Sequence, residues 1–268
     1  SPPLEAYIPV EGDDADMAHI RHSWIQACLG FDEVAADQIL VMALARYAPE
    51  RVCLKVIKRG LSQIGRLWYE NKATVQQEHV ASQVALRRIS ALLTLAPPPG
   101  RDQLIHLYCP PHEEHTFPLM LLELLLRNRG WPVTYFGADV PLAQMERVLA
   151  AGRPALAVLD SQTLWTASEA LAMARFFAGH NVPIAYGGNI FNRLPPIRPH
   201  MPGHFLGETI EEGVAAVADI LLSKRPMPTI APVPENYGAI LAAYEQRHWL
   251  IEGHVAQALQ AEGWTEHY

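Results

Sequence analysis

The sequence contains few cysteines, and their placement excludes a disulfide framework. Three occur in 268 residues, Cys28, Cys53 and Cys109, and they are far apart in mostly apolar segments. An odd number of widely spaced cysteines in such surroundings is typical of reduced core thiols in an intracellular protein. We therefore expect a cytoplasmic chain with neither disulfides nor a cysteine zinc site.

Positive charge and long apolar runs are also scarce. The chain carries 21 Lys and Arg against 28 Asp and Glu, a formal net charge of −7. Phosphate neutralisation needs clustered basic side chains, so direct nucleic-acid binding by this chain alone is not expected. No apolar run reaches the roughly 18 residues that a membrane span requires. Hydrophobic residues make up 50% and charged residues 18% of the sequence, which favours a globular protein.

The first part of the sequence has the periodicity of four helices. Between about residues 14 and 95, apolar residues recur at intervals of three and four in MAHIRHSWIQACLGF, DEVAADQILVMALARYAPE, RVCLKVIKRGLSQIGRLWYE and TVQQEHVASQVALRRISALLTL. Four such helices suffice for a small antiparallel bundle. The segment APPPG (96–100) cannot continue a helix, so we place the boundary of this domain there.

Residues 101–225 alternate between predicted strands and helices. Five short apolar segments flanked by breakers predict buried strands: DQLIHLYC, WPVTYFG, RPALAVLD, VPIAYGG and GHFLG. Helices are predicted after four of them, at 117–129, 141–151, 166–179 and 208–224, and a Pro-rich loop after VPIAYGG. This alternation predicts an α/β domain, a flavodoxin-like (Rossmann-like) parallel sheet of order 2-1-3-4-5. Residues 226–268 are predicted to form a Pro-rich link and a C-terminal helix over about 239–261.

Polar residues and glycines stand just beyond the carboxyl ends of three predicted strands. In a sheet of this order those ends open on one crevice, where such folds bind ligands. The candidate cofactor contacts are Glu113 and His115 after the first strand, Ser161 and Thr163 after the third, and Gly187 and Gly188 after the fourth. Paired glycines let the backbone approach a large flat ligand closely, and a serine can hydrogen-bond its polar tail.

His115 is the candidate metal ligand. An imidazole suits transition metals, and Glu113, two residues earlier, can fix its tautomer. His112 and His115 stand three apart in HEEH, but no third or fourth ligand completes a zinc site with them. A single protein ligand beside a roomy crevice suggests a metal that a macrocycle already holds. The alternative is a solvent-exposed histidine in a polar loop.

The loop EEHTFP, followed by SQT and GG, resembles the base-off, His-on cobalamin-binding domain. That family has Asp-x-His-x-x-Gly, then Ser-x-Leu or Ser-x-Thr, then Gly-Gly. Here Glu113 stands for the Asp. Pro118 stands for the Gly, in the first turn of the next helix, where proline is acceptable. The resemblance implies that His115 is the lower axial ligand of cobalt.

The stretch LWYENKATVQQEH (67–79) predicts a helix junction. Thr74 and Gln77 have the spacing of a capping box, so a helix begins there, and Trp68 ends the preceding helix. Glu78 and His79 then share one face with the first residue of the new helix.

This stretch resembles the upper-face signature of light-sensing cobalamin proteins of the CarH type. In that family a helix-bundle cap, here predicted at 14–95, covers the adenosyl group with Trp, Val, Glu and His, which Trp68, Val75, Glu78 and His79 match. The resemblance implies adenosylcobalamin as cofactor, with a cobalt–carbon bond that light breaks and a cap that shifts afterwards. Tyr69 departs from the family, because the light-dependent repressors have a His at this position.

The resemblance implies a signalling protein, not an enzyme, that forms homo-oligomers and acts on an output partner or domain. The main alternative is a corrinoid carrier that shuttles methyl groups between methyltransferases. Its upper face must stay open, and Trp68, Glu78 and His79 argue against that. A mutase-type subunit would need a substrate barrel for which 268 residues are too few. Some related cobalamin photosensors also bind a bilin. The residues leave open whether this protein does so.

Overall fold

The computed structural model describes residues 15–232 and three isolated positions, Ala242, His254 and Ala258. Apart from these positions, the helix predicted at about 239–261 lies outside the described residues. Across the described part of the chain, no helix is both long and apolar enough to cross a membrane.

The first part of the chain folds into four helical segments, as the sequence predicts. They are α1 (Ala15–Leu29), α2 (Glu33–Arg46), a third segment over residues 49–69, and α5 (Val75–Thr94). The third segment is not a regular helix throughout. It consists of α3 (Pro49–Val52), a π-helix (Cys53–Lys58) and α4 (Arg59–Tyr69) in direct succession. The apolar periodicity did not predict this π-helix, because a single widened turn changes the spacing too little to be visible in sequence.

Gly60 allows the third segment to cross α1 closely. A Cβ atom at this position would lie 2.6 Å from the ring of Trp24, which is fully buried. Beside it, the buried Arg21 guanidinium donates a hydrogen bond of 2.9 Å to the carbonyl of Lys55 in the π-helix. The third segment is therefore held against α1 by both packing and a buried hydrogen bond.

The second part of the chain is a five-stranded parallel sheet of order β2-β1-β3-β4-β5, as predicted. The strands are β1 (Ile105–Tyr108), β2 (Val133–Tyr135), β3 (Leu156–Asp160), β4 (Ile184–Gly187) and β5 (His204–Phe205). The connecting helices are α6 (Phe117–Arg127), α7 (Met145–Ala151), α8 (Leu164–Gly179), α9 (Asn189–Arg193) and α10 (Ile210–Leu222).

Two connections differ from the predicted ones. After β4 the sequence predicts only a Pro-rich loop, but α9 and a 3₁₀-helix (Pro195–His200) form there. The five residues of α9 contain no proline and are anchored by the buried Phe191, and Pro195 has the fixed φ that suits a helical start. The helix predicted to begin at 141 begins at Met145, because Gln144 takes a left-handed φ of +65°.

One hydrophobic core joins the helix bundle to one face of the sheet. It includes Val84 and Ile89 of α5, Leu121 and Leu125 of α6, and Leu107 of β1. All six leucines of α6 are buried, because this helix packs between the sheet and α5. A second core covers the opposite face of the sheet. The described residues up to Pro228 form one compact unit, and the domain boundary at 96–100 stays a prediction.

Candidate functional site

The carboxyl ends of β1, β3 and β4 meet at one edge of the sheet. Tyr108 is in register with Leu159, and Asp160 is in register with Gly187. The Ser161 N–H then donates a hydrogen bond of 3.1 Å to the Gly187 carbonyl. The loops that carry the six candidate residues of the α/β region therefore start from neighbouring points, as the predicted strand order requires.

Glu113 and His115 form a hydrogen-bonded pair in the loop after β1. The His115 Nδ1 atom lies 2.6 Å from Glu113 Oε1, which also accepts from the His115 backbone N–H at 3.0 Å. The Glu113 side chain is 1% exposed, whereas 67% of the His115 side chain is exposed. Because Nδ1 is bound to the carboxylate, Nε2 is the ring nitrogen that remains for a ligand.

The buried Glu113 carboxylate also fixes the loop after β3. Its Oε2 accepts from the Gln162 backbone N–H and from the Thr166 hydroxyl, both at 2.7 Å. Burial acts to raise the pKa of Glu113, but the hydrogen bonds from His115, Thr166 and Gln162 outweigh it and hold the pKa below its usual value. One ionised carboxylate thus connects the loops after β1 and β3.

The same pair changes the basicity of the exposed imidazole. The hydrogen bond to Glu113 raises the pKa of His115 against the opposing effect of burial, and the charges of Glu113, Glu78 and Asp160 raise it further. Glu78 belongs to α5 of the bundle, so one predicted upper-face residue contributes to the electrostatics of the predicted metal ligand.

The four predicted upper-face residues lie at the junction of α4 and α5, as expected. Thr74 and Gln77 form the capping box that begins α5. Trp68 is 48% exposed, Val75 is exposed, and His79 Nε2 lies 3.9 Å from Glu78 Oε2. Across the described residues, no hydrogen bond or ring contact joins Trp68 or Val75 to the loop after β1. These side chains are accessible to a ligand.

Ser161 and Thr163 organise the start of α8. The Thr163 side chain caps the helix by accepting from the Thr166 N–H at 3.2 Å, and Thr166 reciprocates in a capping box. The buried Ser161 hydroxyl donates to the Thr166 carbonyl at 3.1 Å. Both residues have structural partners, and their contacts with a cofactor stay predictions.

Gly187 and Gly188 have different structural roles. Gly188 adopts φ +113°, and a Cβ atom there would lie 2.0 Å from the Ser161 carbonyl oxygen. At Gly187 a Cβ atom would meet nothing closer than 3.9 Å. Gly188 is therefore required by the backbone of Ser161, the residue that follows β3, whereas a methyl group at Gly187 would make only ordinary contacts.

A cavity of about 500 Å³ opens beside these glycines. Its walls come from α6, from the carboxyl ends of β3 and β4, from α9, from the start of α10, and from the third segment of the bundle. They include Leu122, Asp160, Asn192, Leu206 and Lys58. Cavities of this size hold small organic ligands.

Comparisons with known proteins identify the fold and the cofactor class. Residues 20–93 match the family model of the B12 binding domain. The chain is 30% identical over 192 residues to the HTH-type transcriptional repressor CarH of Myxococcus xanthus, covering 69% of this chain. Residues 20–93 belong to the B12 binding domain family. The resemblance to CarH-type proteins predicted from the sequence is thereby confirmed.

Two further proteins are similar to this B12-binding chain. The repressor CarA of Myxococcus xanthus is 33% identical over 87 residues, 32% of this chain. The chain spans 64% of the length of CarH and 30% of the length of CarA. A monomethylamine corrinoid protein of Methanosarcina barkeri shares the fold, with a TM-score of 0.62 at 13% identity over 75% of this chain and 98% of its own.

Sequence reasoning missed two polar residues of this B12-binding protein's cavity. Asp160 ends a strand whose other residues are apolar, and it is 6% exposed. Burial raises its pKa to about 7. Asn192 lies on α9, which the sequence did not predict. An acidic residue at the end of an apolar strand could have identified Asp160 as a candidate site residue from the sequence. Nothing in the sequence pointed to Asn192.

Among residues 15–232, no three His, Cys, Asp or Glu side chains cluster closely enough to hold a metal ion. His115 instead offers one free imidazole nitrogen. This donor set fits a metal whose other ligands come from a macrocycle. The cavity that Gly187 and Gly188 border, which His115 does not line, is large enough for an organic substituent of that macrocycle.

Proposed function

We propose that this B12-binding protein is a light-responsive regulator that holds adenosylcobalamin between His115 and the bundle face of Trp68, Val75, Glu78 and His79. The observation that carries the proposal is the Glu113–His115 pair, in which the carboxylate holds Nδ1 and the exposed imidazole keeps Nε2 for a ligand. The charge of Glu78 on the bundle also contributes to the raised pKa of this imidazole. The similarity to CarH supports the same assignment.

The proposed lower side of the site is built from His115, Glu113 and the cavity. His115 would bind cobalt through Nε2, while Glu113 keeps Nδ1 protonated and the ring oriented. The contacts of Glu113 with Gln162 and Thr166 hold this pair against β3. The nucleotide tail would enter the cavity next to Gly187, because a base-off cofactor must place its tail away from cobalt.

On the proposed upper side, Trp68 would pack against the adenosyl group, and Glu78 would accept hydrogen bonds from its ribose or adenine. Bound adenosylcobalamin would supply a cobalt–carbon bond that visible light breaks. Trp68 would then lose its packing partner, and the helices α4 and α5 could change their arrangement or their contacts with a second subunit. Since Tyr69 replaces a histidine, a second imidazole near cobalt would have to come from His79.

The test is to bind adenosylcobalamin in darkness, then record absorption spectra and size-exclusion profiles before and after green light. We expect an irreversible spectral change together with a change in size or shape. Trp68→Ala should still bind the cofactor and undergo photolysis, but its size or shape should not respond. Met42→Ala is the matched control, because Met42 is an exposed apolar residue of α2 outside the proposed face.

The corrinoid methyl carrier is the competing function. If the bound cofactor were stable in light and the elution profile unchanged, the carrier would be favoured. A full light response in Trp68→Ala would contradict the proposed role of the cap while leaving cofactor binding intact.

A further inference from the structure

The Asp160 carboxylate is buried at the wall of the cavity with one oxygen unused. Its Oδ2 accepts a hydrogen bond of 2.5 Å from Gln162 Nε2. Across the described residues, no hydrogen bond or ion pair reaches Oδ1. A Cβ atom added at Gly187 would lie 4.0 Å from this Oδ1, so the absence of a side chain at 187 leaves the oxygen uncovered. A buried carboxylate with a free oxygen is costly unless a ligand donates to it.

A second unused acceptor lies in the same wall. Asn192 donates through Nδ2 to the Glu208 carbonyl at 3.1 Å, but its Oδ1 is buried without a partner. Asp160 and Asn192 both line the cavity. Native structures rarely leave a buried acceptor such as Asn192 Oδ1 unsatisfied, and the unpaired Oδ1 of Asp160 belongs to the same wall, so the two oxygens point to a ligand with hydrogen-bond donors.

Several other polar side chains in this wall have partners. Gln162 uses its amide nitrogen for Asp160 and its oxygen for the Asn189 N–H. The Ser62 hydroxyl donates to the Lys58 carbonyl, and Lys58 Nζ pairs with Glu211 at 3.3 Å. The remaining wall is largely leucine and glycine. Among the described residues, the buried hydrogen-bond acceptors without a partner in this wall are therefore Asp160 Oδ1 and Asn192 Oδ1.

We propose that Asp160 selects the nucleotide tail of the cofactor by accepting a hydrogen bond from the tail through Oδ1, with Asn192 as a second acceptor. This inference rests on the proposed function, since it assumes that the tail occupies the cavity. The donor is either a ribose hydroxyl, which every complete corrinoid tail carries, or an exocyclic amine of a purine lower base. Dimethylbenzimidazole, the lower base of cobalamin, has no N–H donor of its own.

The experiment compares three corrinoids by absorbance titration in darkness. Cobalamin carries a dimethylbenzimidazole tail, an adeninyl cobamide carries a purine tail, and cobinamide has no nucleotide. Each is titrated into the whole chain and into Asp160→Leu, Asp160→Ala and Asp160→Asn. Asp160→Leu and Asp160→Ala both remove the acceptor oxygens, so the test can still be made if one of them does not fold. Circular dichroism checks the folding of each variant. Ser62→Ala is the matched control, because Ser62 lines the same cavity with its hydroxyl already bonded.

We expect the Leu and Ala variants to bind cobalamin or the adeninyl cobamide about tenfold to a hundredfold more weakly, with cobinamide affinity unchanged. Asp160→Asn keeps an acceptor oxygen and should lose less. An equal loss for both complete corrinoids assigns the donor to the ribose, and a larger loss for the adeninyl cobamide assigns it to the base amine. If cobinamide affinity falls as much as cobalamin affinity, or if neither falls, the inference is overturned. If no corrinoid binds the unmodified chain, the proposed function itself fails.

Discussion

Replacing Gly188 by alanine should destabilise the fold far more than the same change at Gly187. The two glycines are adjacent, and both border the cavity, yet only Gly188 has a backbone that excludes a side chain. At Gly188, the methyl group would lie 2.0 Å from the Ser161 carbonyl oxygen and 2.6 Å from the Ser161 nitrogen. These are backbone atoms of the residue that follows β3, so they cannot move away as a flexible side chain could.

The size of the effect follows from two penalties. A non-glycine residue held at φ +113° costs about 1–3 kcal/mol. Forcing a methyl group into a filled space costs about 1–3 kcal/mol more. We therefore expect Gly188→Ala to lower the free energy of unfolding by about 2–6 kcal/mol, a large part of the stability of a typical domain. Gly187→Ala, whose methyl group would make ordinary contacts at 3.9 and 4.0 Å, should change it by less than about 1 kcal/mol.

Equilibrium urea unfolding of both variants without cofactor, followed by circular dichroism, measures this difference. The reasoning is refuted if Gly188→Ala proves as stable as Gly187→Ala. In that case the loops after β3 and β4 would have to move apart easily, and the geometry that holds Ser161 would not be fixed.

Three further predictions concern the carboxylates. Glu113→Gln should lower the raised pKa of His115, so the rise of cobalamin affinity with pH should occur at lower pH, while the affinity at high pH falls about tenfold or more. Absorbance titrations across the imidazole range measure both. Because burial raises the pKa of Asp160 from 3.8 to about 7, the folded state retains a proton that the unfolded state releases, and stability falls as pH rises between these values. Asp160→Asn should therefore match the unmodified protein near pH ~4 and exceed its stability by on the order of 4 kcal/mol near pH ~8, as measured by urea unfolding. Thr166→Val removes a hydroxyl donor from buried Glu113 and should cost about 1–3 kcal/mol in the same assay.

The Thr166 prediction has a matched control, and each of the three has an outcome that would contradict it. Ser168→Ala, which removes an exposed hydroxyl from the same helix as Thr166, should cost less than about 0.5 kcal/mol. An equal loss in the two α8 variants would mean that Glu113 does not depend on Thr166. A stability gain in Asp160→Asn that did not depend on pH would rule out the titration of Asp160 as its source. If the pH dependence of binding were unchanged in Glu113→Gln, Glu113 would not control the pKa of His115.

Much of the fold was predictable because its signals are local. Short apolar segments separated by helical ones predicted the strand order, and the capping box at Thr74 predicted where α5 begins. The π-helix at Cys53–Lys58 and the short α9 were not predicted. The first accepts a hydrogen bond from Arg21 of α1 through the Lys55 carbonyl, and the second buries Phe191. Such tertiary contacts have no periodic signal in sequence.

The candidate site was predictable to the level of loops but not of individual partners. Spacing correctly indicated that Glu113 and His115 would interact. It could not reveal that Glu113 also binds Thr166, since these residues are 53 positions apart. Nor could it separate Gly187 from Gly188, because the difference between them is the position of the Ser161 backbone.

The central claim is that His115 is the lower ligand of cobalt in a base-off cofactor, and electron paramagnetic resonance of the Co(II)cobalamin complex tests it most directly. A nitrogen ligand of natural isotope composition splits each cobalt line into a triplet, whereas ¹⁵N splits it into a doublet. Protein labelled with ¹⁵N-histidine should therefore give doublets. The labelled His115→Ala variant should lack these doublets and should bind cobalamin more weakly. Triplets that persist in the labelled protein would mean that the cofactor keeps its own base on cobalt, and the account would be contradicted.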